Sequence, residues 1–183
     1  MKFLFILIVC GLSQQTFSFE ISSYGFYKKV FPKLTSIQKV AIKDTISDDP
    51  INTTLLKVLS GGRPIGYIRN ISTTTGCNSA CLPVNYTSFY DVKGNFLKLK
   101  SREGLTKLNH AVFTEEDYSQ LELIISLSPK ELSTIKNPKE LTDAISGATL
   151  KQFQSLVVKG AAYSTLRIHL YNLETKSIIN KLK

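Results

Sequence analysis

Residues 53–68, Thr-Thr-Leu-Leu-Lys-Val-Leu-Ser-Gly-Gly-Arg-Pro-Ile-Gly-Tyr-Ile, decide the fold class. Apolar and β-branched residues lie on both sides of the diglycine at 61–62, and this arrangement is typical of a β-hairpin. A second pair of runs follows, because residues 83–90 alternate like a strand, 91–94 form a turn and 95–99 return. The sequence therefore predicts an antiparallel sheet in the middle of the chain.

Helical patterns flank the predicted sheet. Before it, Leu34, Ile37, Val40 and Ala41 recur at roughly helical spacing, which predicts an amphipathic helix over about 34–44. After it, a helix is predicted over 117–127, with Tyr118, Leu121, Ile124 and Ile125 as its apolar stripe.

The last third of the chain continues in helices. Pro129 and Pro138 each follow a capping residue and precede a glutamate, which predicts two short helices. A long helical pattern that includes Leu170 begins after Thr149, and residues 176–183 are expected to fray. The predicted fold class is α+β: an antiparallel sheet of hairpins with a long C-terminal helix and short helices packed on it.

The N-terminus is typical of an exported protein. Lys2 precedes an apolar run, the chain turns polar at Ser13, and Thr16 and Ser18 provide the small residues that a signal peptidase inspects. We therefore expect a signal peptide over 1–18 and a single domain over 19–183, located in the periplasm or outside the cell. No later stretch is long and apolar enough to cross a bilayer.

The chain is basic, with 23 Lys and Arg against 14 Asp and Glu and a formal charge of +9. The lysines are scattered, and the aromatic residues do not alternate with a basic run as they do in nucleic-acid-binding surfaces. We therefore predict no nucleic-acid partner. Attraction of an anionic ligand or partner stays open.

Cys77 and Cys81 are the cysteines that remain after removal of the signal peptide. An even pair in an oxidising compartment favours a structural disulfide. A redox-active pair is the first alternative, and a metal site completed by His110 is the second, although tetrahedral zinc sites need about four ligands. On its own, His110 is interpreted as a hydrogen-bonded loop residue.

Residues 143–149, Asp-Ala-Ile-Ser-Gly-Ala-Thr, form the most specific motif. A turn of small residues before a helix leaves backbone N–H groups that favour a phosphate, and Gly147 permits close approach of a ligand. The same spacing has a purely structural interpretation, because Thr149 and Gln152 match a helix capping box.

This run resembles the flavinylation motif of the exported FMN-binding domain family, found in flavin-bearing subunits of Rnf and sodium-pumping quinone reductase complexes. The resemblance implies that a Mg-dependent flavin transferase takes FAD and esterifies the FMN phosphate to Thr149. It also implies that the transferase recognises Asp143 and Ser146, and that the small residues Gly147 and Ala148 leave the motif accessible to that enzyme. The close match covers these seven residues, and Lys151 replaces the hydroxyl residue that many family members have there.

The resemblance implies an extracytoplasmic flavoprotein that carries FMN on Thr149 and exchanges electrons with unidentified redox partners. The candidates to contact the flavin ring are Tyr163, which follows the small residues 160–162, and the loop around His110. No catalytic triad or pair of carboxylates suggests a hydrolase or a transferase. The alternative is a disulfide-stapled exported binding domain in which Thr149 only caps a helix.

Overall fold

A five-stranded antiparallel sheet forms the centre of the protein. The structure, a computed structural model, describes residues 23–47, 49–73, 84–101, 115–136 and 154–183. The strands follow one another across the sheet in sequence order: β1 (Ser36–Ala41), β2 (Thr54–Ser60), β3 (Arg63–Thr73), β4 (Val84–Tyr90) and β5 (Phe96–Ser101). This sheet, with the helices described below, confirms the predicted α+β class.

Both predicted hairpins are present, and glycines close them. Ser60 pairs with Arg63, so Gly61 and Gly62 form a two-residue loop, in which both have positive φ (53° and 81°). Such backbone angles match the twist of the flanking strands and are accessible to glycine at little cost. The β4–β5 turn likewise uses Gly94 at φ 83°.

The predicted helix over 34–44 is wrong, because residues 36–41 form β1 at the edge of the sheet. Ile37 and Val40 are three residues apart, so they lie on opposite faces of a strand. Ile37 packs with the apolar cluster on one face, and Val40 packs with the cluster on the other. The apolar residues of β1 have helix-like spacing because both faces of the sheet are covered, so the strand contributes apolar side chains to each face.

One sheet face, which we call the α1 face, is covered by the N-terminal segment. Residues 23–28 form helix α1, and the chain then crosses the sheet up to Leu34. A Cβ atom on Gly66 would lie 2.4 Å from the Phe31 ring and 2.6 Å from the Tyr90 carbonyl oxygen, so glycine permits this close approach. The buried apolar residues of this face are Tyr27, Phe31, Leu34, Leu56, Val58, Ile68 and Phe89.

The opposite face, the α4 face, is covered by helices. These are α2 (Glu115–Ser126) and α4 (Gln154–Lys181), and the short helix α3 (Pro129–Leu132) follows α2. The predicted helix over 117–127 corresponds to α2, whose Tyr118, Leu121 and Ile125 are buried. The predicted capping box of α3 is present: the Ser128 hydroxyl accepts from Glu131 N, and the Glu131 carboxylate accepts from Ser128 N.

The end of the chain is not frayed as predicted, because α4 continues to Lys181. Ile179 is fully buried against Leu55, Tyr67 and Tyr90. Leu170, in contrast, is half exposed. The buried residues of α4 are Thr165, Ile168, His169, Tyr171, Thr175 and Ile179.

Candidate functional site

The residues of the predicted flavin site lie outside the part of the chain that the structure describes. These are Asp143, Ser146, Gly147, Ala148, Thr149 and His110, and the same holds for Cys77 and Cys81. Tyr163 lies within α4, whose side chains are described from Thr165 onward. The described residues therefore provide the scaffold next to these stretches.

The described flanks of two of these stretches lie at one end of the sheet, which we call the loop end. Thr73 and Val84, the described residues on either side of the cysteines, pair in register between β3 and β4. Lys100 Nζ, near the end of β5, lies 2.6 Å from the carboxylate of Glu115 at the start of α2. The described residues that flank the stretch with Cys77 and Cys81, and those that flank the stretch with His110, therefore lie at the loop end.

Helix α4 runs along the sheet away from the loop end. Ile168 packs near Tyr86 and Leu99, whereas Ile179 packs near Tyr67 and Tyr90. Gln154 is 14 residues before Ile168, which corresponds to about 21 Å of helix at 1.5 Å per residue. The first half of α4 therefore extends toward the loop end.

A buried arginine joins α4 to the sheet. Arg69 lies on β3 between Tyr67 and Ile71 and is fully buried. Its guanidinium is 2.7 Å from a carboxylate oxygen of Glu174 and donates hydrogen bonds to Thr175 Oγ1 and to the Asn52 carbonyl oxygen, both at 2.9 Å. It also lies 4.7 Å from the centre of the Tyr171 ring. A buried charge needs such partners.

Tyr171 extends this network to the connection between β1 and β2. Its hydroxyl donates to Asp44 Oδ2 at 2.8 Å and accepts from Asn52 Nδ2 at 2.8 Å. Asn52 is fully buried, and its Oδ1 accepts from Ser72 N at 2.7 Å. Thr45 N donates to Glu174 Oε1 at 2.9 Å. The connection, β3 and the middle of α4 thus form one hydrogen-bonded unit.

The network shifts the pKa values of its members in opposite directions. Burial, together with the neighbouring Asp44 carboxylate, raises the pKa of Tyr171 to about 12. Burial would raise the pKa of Asp44, but hydrogen bonds from Ile46 N, Ser47 N and the Tyr171 hydroxyl outweigh it and leave this pKa below its usual value. The structure therefore favours an ionised Asp44 and a neutral Tyr171 across the neutral pH range.

Sequence reasoning missed Arg69 and a second histidine, His169. The burial of Arg69 could have been predicted from its spacing, because in a strand it lies on the same side as Tyr67 and Ile71, which are two residues away in each direction. His169 Nδ1 lies 3.2 Å from the carbonyl oxygen of Ile125, in the last turn of α2, and Asn172 Nδ2 donates to the same oxygen at 3.1 Å. These side chains satisfy a carbonyl that a helix end leaves without an intrahelical partner.

A cavity of about 550 Å³ opens on the α1 face beside α1, and we call it the Tyr24 cavity. Its apolar wall includes Tyr24, Tyr27, Ile37 and Leu56. Its polar lining includes Lys39, Thr54, Asn70, Asn85 and Thr87. This volume falls within the range of small-molecule sites, which combine apolar walls with a few polar groups.

No known protein family, no curated protein and no solved structure matches this chain. Of the helices in the described ranges, none combines the length and apolarity that a membrane-spanning segment requires. Within the same ranges, no group of three or more His, Cys, Asp or Glu side chains could hold a metal ion.

Proposed function

We propose that this protein is an extracytoplasmic electron-transfer flavoprotein that carries FMN as a phosphodiester on Thr149. The observation that carries the proposal is the motif at residues 143–149, which ends five residues before the first residue of α4. The motif's resemblance to the flavinylation sequence of exported FMN-binding domains supports this assignment.

The attachment reaction has a simple balance of atoms. The Thr149 oxygen attacks the FMN phosphorus of FAD, the pyrophosphate bond breaks, AMP leaves and the hydroxyl proton passes to a base of the transferase. Asp143 and Ser146 contribute to recognition by that enzyme, and Gly147 and Ala148 leave room for it. Bound FMN would then supply the electron-accepting and electron-donating chemistry.

The scaffold supports this role because the second half of α4 is held on the sheet. Arg69, Asn52 and Asp44 contact Tyr171 and Thr175, and Ile179 packs in the core, so the helix that follows Thr149 in the sequence is anchored through its second half. A cofactor needs such support to keep a defined distance to its redox partners. The stretches with Cys77, Cys81 and His110 start and end at the loop end, toward which the first half of α4 extends.

The proposal is tested by exporting the protein together with a flavin transferase and examining the denatured protein for bound flavin. We expect flavin fluorescence to stay with the polypeptide on a denaturing gel, because a phosphodiester survives unfolding. Thr149→Ala should abolish the fluorescence. Thr134→Ala removes an exposed threonine after α3 and should retain it.

Fluorescence that persists in Thr149→Ala would overturn the assignment of the attachment residue. Absence of bound flavin in the wild-type protein, with a transferase that modifies a known substrate, would overturn covalent attachment. The binding-domain alternative would then be preferred, and the Tyr24 cavity is the observation that favours it.

A further inference from the structure

Strand β1 forms one edge of the sheet, and its outer side is open. The Ile42 amide, next to the end of β1, donates to the Thr53 carbonyl oxygen at 2.9 Å, so the backbone of Ile42 faces β2. Alternate residues of a strand direct their backbone groups to opposite sides, so the N–H and C=O groups of Ile37, Lys39 and Ala41 point away from the sheet. Four of the six residues of β1 are exposed, and the other two are half-buried.

The edge at the other side of the sheet, β5, is closed by α2. The Leu99 amide donates to the Glu122 carboxylate at 2.8 Å, and the Ser101 amide donates to the Tyr118 hydroxyl oxygen at 3.0 Å. On β1, by contrast, the described part of the chain provides no acceptor for the outward N–H groups of residues 37 and 41. Proteins usually protect their edge strands, because an exposed edge can pair with another chain. The difference between the two edges indicates that β1 is the edge available to a partner.

The Tyr24 cavity lies beside this open edge. Ile37 and Lys39 line the cavity, and Ile37 packs with the apolar cluster of the α1 face. Residues that lie opposite each other in two paired strands have their side chains on the same face of the sheet. A partner residue opposite Ile37 would therefore place its side chain at the cavity, whose wall includes Tyr24 and Leu56. This position favours an apolar side chain.

The charges around β1 favour an acidic partner. Lys33 before the strand and Lys43 after it are exposed, and neither forms an ion pair within the ranges that the structure describes. Residues 33–43 contain no Asp or Glu, and the carboxylate that follows, Asp44, accepts the Tyr171 hydroxyl. Carboxylates at the two ends of a paired segment would complement these lysines.

The same lysines disfavour a second copy of this chain as the partner. Only outward-facing residues can bond across a two-fold junction of two β1 strands, so the most extensive antiparallel registers are centred on Gln38 or on Lys39. The register centred on Lys39 places two copies of this lysine opposite each other. The register centred on Gln38 brings Lys33 of one copy toward Lys43 of the other. Like charges opposite each other are destabilising, and the formal charge of +9 adds repulsion.

We propose that β1 binds an extended acidic segment of a partner protein as an additional strand of the sheet. The main-chain groups of Ile37, Lys39 and Ala41 pair with the segment, and one apolar side chain of the segment occupies the Tyr24 cavity. Main-chain pairing provides affinity, and the cavity and the flanking lysines provide selectivity. This docking edge does not depend on the flavin proposed at Thr149.

The test begins with a phage-displayed library of short random peptides selected against the full chain. We expect the selected sequences to alternate apolar and polar residues and to be rich in Asp and Glu. A synthetic peptide from this selection should bind saturably and slow hydrogen exchange at the Ile37 and Ala41 amides, which exchange rapidly in the free protein. The Gln38 and Val40 amides face β2 and should be protected in both states.

Two variants of Lys39 separate main-chain pairing from side-chain contacts. Lys39→Ala and Lys39→Pro both remove the lysine side chain, but only proline removes the outward N–H group. Proline is tolerated on the outer side of an edge strand, so the two variants should unfold at similar temperatures. We expect Lys39→Pro to bind the peptide roughly tenfold more weakly than Lys39→Ala, because one hydrogen bond is lost and the ring blocks the approach.

The peptide provides a second test that leaves the protein unchanged. In a paired strand, alternate N–H groups of the peptide face β1. N-methylation of one alternating set should therefore abolish binding, whereas N-methylation of the other set should preserve it. Replacement of the peptide's Asp and Glu by Asn and Gln should weaken binding, with a smaller effect at high salt.

Several results would overturn the proposal. The first is a library that yields no saturable binder, and the second is a bound peptide that protects amides away from β1. Equal binding by Lys39→Pro and Lys39→Ala, or an equal effect of both N-methylated sets, would exclude strand pairing. An amide-substituted peptide that binds as tightly as the acidic one would exclude an acidic partner.

The free protein provides the last criterion. Slow exchange of the Ile37 and Ala41 amides without peptide would contradict an open edge. In a monomer, this result would show that another part of this chain covers β1. In a dimer, it would show that a second copy covers the strand. Sedimentation velocity at the same protein concentration distinguishes the two cases.

Discussion

At the scale of single residues, Arg69 has the most specific surroundings. It is fully buried, and its partners come from the helix Pro50–Thr53 before β2 and from α4. A buried charge is stable only with such partners, so the network fixes one position of α4 on the sheet.

We predict that Arg69→Met destabilises the protein by about 3–5 kcal/mol, because it leaves Glu174 without its cation and the Asn52 carbonyl oxygen without its hydrogen-bond donor. Urea unfolding followed by circular dichroism measures the change. The matched control is Arg63→Met, which alters an exposed arginine at the start of the same strand and should cost less than about 0.5 kcal/mol. Equal stability of the two variants would contradict the structural role of Arg69.

The tyrosines give a pH dependence. Burial raises the pKa of Tyr171 and of Tyr90 to about 12 in the folded protein, above the usual value of 10. Folding therefore favours the neutral phenols, and this contribution is complete below pH 10 and is lost as the pH rises from 10 toward 12.

We predict that the free energy of unfolding falls steeply above pH 10 and that Tyr171→Phe makes this fall shallower. The variant should also be less stable at pH 8, because Asp44 and Asn52 lose a hydrogen-bond partner. Urea titrations at pH 8, 9.5 and 11 measure both effects. Parallel pH profiles for wild type and variant would show that Tyr171 does not titrate between the folded and unfolded states as described.

At the scale of elements, the C-terminal part of α4 belongs to the core. We predict that Ile179→Ala costs about 2–4 kcal/mol, because it leaves a cavity between α4 and the sheet. Leu182→Ala, at a half-exposed position one turn later, should have little effect. Thermal unfolding compares the two variants, and equal midpoints would mean that the end of α4 is frayed after all.

Sequence patterns predicted the elements whose signals are local. The Gly61-Gly62 hairpin, the alternation of β4 and the capping box at Ser128 each depend on a few adjacent residues, and all are present. The interpretations of β1 and of the end of α4 were wrong because tertiary contacts decide both. Ile37 and Val40 serve two different faces of the sheet, and Ile179 is recognisable as a core residue only once Leu55 and Tyr90 lie opposite it.

Prediction of the candidate sites from the sequence has the same limit: patterns of adjacent residues can be recognised, whereas tertiary contacts cannot. The motif at 143–149 is contiguous, so the sequence alone allows a chemical prediction for it, and flavin attachment at Thr149 stays a prediction. The Arg69 network could not be predicted, because its members are far apart along the chain and become neighbours only when α4 docks on the sheet.

At the scale of the whole molecule, the two faces of the sheet differ in what they carry. The α4 face holds the helix that follows Thr149 through the Arg69 network and Ile179. The α1 face carries the Tyr24 cavity. The flavin proposed at Thr149 would therefore be attached at the start of the helix that covers the α4 face.

The most direct test of the central claim is the intact mass of the protein after export together with a flavin transferase. We predict an increase equal to the mass of FMN less one water, located by peptide mapping to the fragment that contains Thr149, with no increase in Thr149→Ala. An unmodified wild-type mass, in a preparation where the transferase modifies a control substrate, would contradict the assignment of this protein as a covalent flavoprotein.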